Sequence, residues 1–100
     1  MKKNIFDQYA KEICKKYHIQ VDELFSPSTK RNISDARQLL YYLCYSRPMR
    51  MTEIARYVEE EGLPVTSQNV NYGVKRVCKK IKEDQDYQYV INNIRSCVTH

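Results

Sequence analysis

"MTEIARYVEEEGLPVTSQNVNYGVKRVCKKI", Met51 to Ile81, holds two apolar periodicities separated by a break. Ile54, Ala55 and Val58 recur at helical spacing and predict a helix over about Thr52–Glu60, closed by Gly62 and Pro64. Thr66 or Ser67 then offers a side-chain oxygen to cap a second helix, about Ser67–Ile81. Its residues Val70, Val74, Val77, Cys78 and Ile81 stand at i, i+4, i+7, i+8 and i+11, one stripe of a helix. Two helices in this succession have the order of a helix-turn-helix. In that device the second helix enters a DNA major groove while the first braces it across the backbone.

The polar side of the second helix fits such a role. With the valines turned inward, the outer face shows Gln68, Asn69, Asn71, Tyr72, Lys75, Arg76 and Lys79. Amides pair two-pronged with adenine, a guanidinium pairs with guanine, and lysine neutralises phosphate. The amides come first and the cations follow. Gly73 sits mid-helix, where glycine costs about 1 kcal/mol relative to alanine. It leaves room for a neighbouring helix or for the DNA backbone.

Charge is distributed to match. The 100-residue chain has a net charge of +5, from 17 basic and 12 acidic residues. From Leu63 to Lys82 there are five basic residues (Lys75, Arg76, Lys79, Lys80, Lys82) and no acid. The acids flank this stretch, in Glu59-Glu60-Glu61 and in Glu83, Asp84 and Asp86. Segregation of this kind makes a local positive face.

Outward from this pair the chain reads as helix almost throughout. Two glycines, three prolines and no sustained period-two alternation exclude a sheet protein. Ile5, Phe6, Tyr9, Ile13 and Tyr17 predict a first helix over about Asn4–Tyr17, with Lys11, Lys15 and Lys16 on its wet side. "VDELF" gives one short turn, ended by "SPST". A long helix is expected from Ser34, a good N-cap with Asp35 in its first turn, to about Tyr45, before Pro48. A last helix, roughly Asp86–Cys97, carries Tyr87, Val90, Ile91 and Ile94. The expectation is one all-α domain over residues 1–100, compact, with five to six helices and 86–97 as an added C-terminal helix.

Lys30-Arg31, just ahead of the long helix in "TKRNISDARQLLYYL", serves neither a core nor solubility. A phosphate backbone passing the helix start would account for it.

These segments together resemble the C-terminal DNA-binding domain of the bacterial replication initiator DnaA, a helix-turn-helix of the Trp-repressor-like kind. The resemblance runs over about Ile13–Ile81. It is carried by "VDELF…KRNISDARQLLYYL", by "MTEIARYV" as the bracing helix and by "VKRVCKKI" as the end of the recognition helix. It implies that Arg31 enters the minor groove with Lys30 beside it, that Arg37 and Gln38 approach the DNA backbone, and that Lys79 and Lys80 do likewise. The family's base-reading "DHTTV" is absent; Val70-Asn71-Tyr72-Gly73-Val74 stands in its place, after a longer turn. Duplex binding carries over from the resemblance, whereas the initiator's target box does not. No G-x-x-x-x-G-K-[ST] occurs, so no nucleotide cofactor is expected.

Other classes fare worse. Cys14, Cys44, Cys78 and Cys97 form no C-x-x-C pair, and His18 and His100 lie far from any such pair, which argues against zinc. Buried free thiols in a reducing cytoplasm are the expectation. "MKKNIFDQYAKEICKK" contains neither a signal-peptide core nor a membrane span. His18 with Cys14, four apart, is a helical coincidence, and no paired acid and base points to catalysis. The nine tyrosines are assigned mainly to core and rim; of Tyr41, Tyr42 and Tyr45 at least one must face inward, while Tyr72 has polar neighbours. The last helix either covers the core in cis or offers its stripe to a second copy, so monomer and homodimer both stay open. Phosphate contacts are assigned to Lys30, Arg37, Lys75, Lys79 and Lys80, and base contacts to Gln68, Asn69, Asn71, Tyr72 and Arg76. The expected partner is double-stranded DNA. The alternative is a helical adaptor whose basic face meets an acidic protein.

Overall fold

Helical periodicity and capping residues divide the chain into six helices in a computed structural model that describes residues 2–98. They are α1 (Lys2–Tyr17), α2 (Val21–Leu24), α3 (Arg31–Tyr45), α4 (Met51–Glu60), α5 (Ser67–Glu83) and α6 (Gln85–Cys97). No strand occurs among the described residues, and no helix among them is long and apolar enough to cross a membrane. His100 lies outside the described residues.

α1 buries Phe6, Tyr9, Ala10, Ile13 and Cys14, one stripe spaced at three and four residues. It stops at His18, whose φ of 56° is left-handed, and the Ile19 N–H turns back to the Cys14 carbonyl at 3.1 Å. Buried Ile19 completes the hydrophobic contact of that C-cap. α2 is a single turn that drives Leu24 and Phe25 into the core, where Phe25 stacks on Phe6 at 5.8 Å between ring centroids. Tyr57 of α4 meets the same Phe6 ring at 5.4 Å.

α3 begins three residues before the expected Ser34. Ser28 Oγ accepts the Lys30 N–H at 3.2 Å, and the Lys30 carbonyl accepts the Ser34 N–H at 2.9 Å. The extra turn inserts Ile33 into the core at 3 % exposure. Burial of an isoleucine outweighs a serine cap, since the transfer is worth about 1.5–3 kcal/mol against about 1 for the cap. α3 is the central strut, packed mainly on α5 and α1 and touching α2 and α4 as well. Its Leu39, Leu40 and Leu43 are fully buried. Truncating any one to alanine removes about 2–5 kcal/mol, a large share of a small domain's stability.

The turn between α4 and α5 is a built connection. Gly62, at φ 107°, takes the left-handed C-cap position. Its N–H reaches the Glu59 carbonyl at 2.9 Å, and that of buried Leu63 reaches Val58 at 3.2 Å. α5 then starts on a reciprocal capping box: Thr66 Oγ1 accepts the Asn69 N–H at 3.1 Å and Asn69 Oδ1 accepts the Thr66 N–H at 3.0 Å. Asp84 ends α5 and caps α6, its Oδ1 accepting the Asp86 N–H at 3.0 Å. α6 turns Ile91 and Ile94 inward, with Tyr87 and Val90 packed beside them against the core. The stripe that the sequence left between two uses therefore covers the core in cis.

α3 packs tightly against α5 at buried Gly73. A Cβ built there would stand 2.8 Å from Tyr41 Cδ2 and 3.3 Å from Gln38 Cγ. The room that glycine leaves is taken by a neighbouring helix. Among the helix α3 tyrosines, Tyr41 is buried, Tyr42 is half-buried beneath the Arg95 guanidinium, and Tyr45 is exposed. The thiols divide in the same graded way: Cys14 and Cys44 are buried, Cys78 is partly so, and Cys97 is exposed, contrary to the expectation that all four lie inside.

Candidate nucleic-acid interface

At 3.6 residues per turn, burying Val70, Val74 and Val77 leaves two adjoining ridges on the outside of α5. One carries Gln68, Tyr72 and Arg76, and the other carries Asn71, Lys75 and Lys79. All are exposed except Asn71, which is half-buried. Lys79 lies 4.0 Å from Glu83, but both side chains are mostly in water and the pair neutralises little. Tyr72 is 60 % exposed, and its hydroxyl accepts a hydrogen bond from Arg76 Nη1 at 3.3 Å.

Neighbouring helices extend this surface on both flanks. On one side, the starts of α4 and α5 converge around a groove lined by Arg50, Met51, Thr52, Ser67, Gln68 and Asn71. Two helix N-termini and an exposed arginine face it, a combination suited to phosphate. On the other side, Ser34, Arg37 and Gln38 of α3 face Asn69, Tyr72 and Gly73 across a second groove. Arg31 is exposed and lies one turn before Asp35 on α3, with Lys30 capping the helix ahead of it.

Four of the residues expected at DNA are engaged inside the molecule. Arg37 Nε donates to the Leu24 carbonyl at 3.1 Å and Nη2 to the Ser28 carbonyl at 2.6 Å, so its guanidinium ties down the α2–α3 loop. Gln38 is half-buried beneath Gly73, its Oε1 enclosed without a hydrogen-bond partner. Asn69 spends its side-chain oxygen in the capping box. Lys80 pairs with Asp35 at 3.1 Å and lies 5.7 Å from the centre of the Tyr87 ring. Of the remaining eight, Lys30, Arg31, Gln68, Tyr72, Lys75, Arg76 and Lys79 are exposed on α5 or at the start of α3, and half-buried Asn71 lines the groove between α4 and α5.

Sequence reasoning missed Arg50 and Thr52. The available signal was the same one that drew attention to Lys30-Arg31, a basic residue on the threshold of a helix. Glu53 obscured it, since its Oε1 accepts the Arg50 N–H at 3.0 Å and its carboxylate also binds Lys2 at 3.1 Å. The Arg50 N–H and the Lys2 ammonium together hold the Glu53 carboxyl below its ordinary value.

The bacterial DnaA protein helix-turn-helix family matches residues 6–61, from α1 through the end of α4. No curated protein and no solved structure matches the chain. The matched span reaches further toward the N-terminus than the motifs alone indicated and stops before α5, where the family's base-reading signature is missing from this sequence. The loop, long helix and bracing helix that position the basic face thus carry the family's pattern, and the chain belongs to the bacterial DnaA helix-turn-helix family.

Proposed function

We propose that the chain is a sequence-specific, non-enzymatic reader of double-stranded DNA that acts in the cytoplasm in transcription regulation or in marking a replication origin. The observation that carries this reading is the exposed face of α5. It holds amides at its start and cations beyond, with no acid between Leu63 and Lys82. α5 enters the major groove and α4 braces it from the backbone side. Gln68, Asn71, Tyr72 and Arg76 meet base edges, while Lys75 and Lys79 neutralise phosphates. Arg31, with Lys30, reaches the adjacent minor groove. Arg37 holds the α2–α3 loop and Asn69 caps α5, while Gln38 packs beneath Gly73 and Lys80 ties α5 to α3 through Asp35. Family membership supports DNA as the partner.

Fluorescence anisotropy against a mixed-sequence duplex tests the reading. Binding should fall steeply with added salt, and Arg31→Ala should weaken it markedly while leaving the fold intact. A basic face kept for an acidic protein partner would show no duplex binding even at low salt.

A further inference from the structure

Tyr72 and Arg76 stand one helical turn apart on the outer ridge of α5, and both side chains are exposed. They are also joined: the guanidinium donates to the phenol oxygen at 3.3 Å, and its central carbon lies 5.7 Å from the ring centre. A free surface arginine has much rotamer freedom to lose when it binds. A guanidinium leaning on an aromatic ring and held by its hydroxyl has already lost part of it. Arg76 is the single arginine of α5, among the lysines 75, 79, 80 and 82. Lysines are flexible point charges suited to phosphate. A planar fork held in place suits two acceptors at fixed spacing, the O6 and N7 edge of guanine.

Building on the DNA-binding reading, we infer that Tyr72 and Arg76 form one reading unit, in which the phenol positions the guanidinium to bind a guanine of the target through the major groove. Beyond its own place on the base-facing ridge, Tyr72 positions Arg76, and Arg76 makes the guanine contact. The target site therefore contains a guanine that no other base replaces.

The test starts with selection of the preferred duplex from a random library by the wild-type chain. Affinities follow for Arg76→Lys, Arg76→Ala and Tyr72→Phe on that duplex and on one carrying 7-deazaguanine, which lacks the N7 acceptor, at the selected guanine. Circular dichroism checks the fold of each variant. The wild type should prefer guanine there by about tenfold or more and lose most of that preference on 7-deazaguanine. Arg76→Ala should be indifferent to the replacement, and Arg76→Lys, which keeps donors but not the planar fork, should show only part of the wild-type preference. Tyr72→Phe, which keeps the ring but not the hydroxyl, should lose several-fold in guanine discrimination with its salt dependence unchanged. If Arg76→Ala weakens all duplexes equally and lowers the salt slope by about one, Arg76 is a phosphate contact and the inference falls while DNA binding stands. Wild-type discrimination by Tyr72→Phe overturns the positioning role. Absence of binding to any duplex removes the inference together with the reading beneath it.

Discussion

Gly73 concentrates the fold's requirements in one missing methyl group. Helix propensity alone would favour alanine there by about 1 kcal/mol. Tyr41 stands where the methyl would go, and it is a buried ring rather than a flexible tip. Overpacking of this kind costs about 1–3 kcal/mol. Gly73→Ala should therefore gain nothing or lose stability in spite of its better propensity. Gly73→Val, bulkier and β-branched, should lower the melting temperature by at least several degrees, as followed by circular dichroism. Arg37 gives the complementary case. Its two N–H groups satisfy the carbonyls of Leu24 and Ser28, which are thirteen and nine residues distant. Lysine keeps the charge but not the fork, so Arg37→Lys should cost about 1–3 kcal/mol, the price of a partly buried carbonyl left without its donor. Arg37→Ala, which also removes the charge, should leave the salt slope on DNA unchanged. A slope shallower by roughly 0.9 in that variant would instead mark Arg37 as a phosphate contact.

Legibility differs from one helix to the next, for physical reasons. The apolar stripe of α5 and its polar outer face were readable because both depend on periodicity within one segment. The start of α3 was misjudged because Ser34 is a good local cap. Its competitor, burial of Ile33, depends on a core assembled from α1, α3 and α5. The Lys80–Asp35 pair spans 45 positions and leaves no local trace, so Lys80 reads from sequence as one more free cation. The same holds for Arg37, whose partners are backbone groups of a loop. Gly73 marked a close approach but not its partner. The basic face was thus visible as a face, while its division into residues that reach outward and residues that brace it required the packing of α3 on α5.

Across the whole molecule, the enclosed tyrosines link the core to pH. Burial raises the phenols of Tyr17, Tyr41 and Tyr87 above the ordinary tyrosine value, and Tyr87 most, with Tyr17 beside it. Below about pH 10 both the folded and unfolded chains keep these protons, and the groups add no pH dependence. Above it the unfolded chain releases them first, so stability falls as pH rises. Urea melts at about pH 9 and about pH 11 should show this loss, and Tyr87→Phe should flatten it. Equal alkaline sensitivity in the variant would assign the loss to other groups.

The same packed core holds α5 with its polar, mainly basic face outward, the face proposed to meet duplex DNA. The most direct measurement is the salt dependence of binding to the selected duplex by the wild-type chain and by the double variant Lys75→Ala with Lys79→Ala. Both substitutions are exposed and leave the core untouched. The expected result is a steep negative slope for the wild type and a slope shallower by roughly 0.9 for each lysine removed. An unchanged slope in the double variant, or no wild-type binding at low salt, would contradict it.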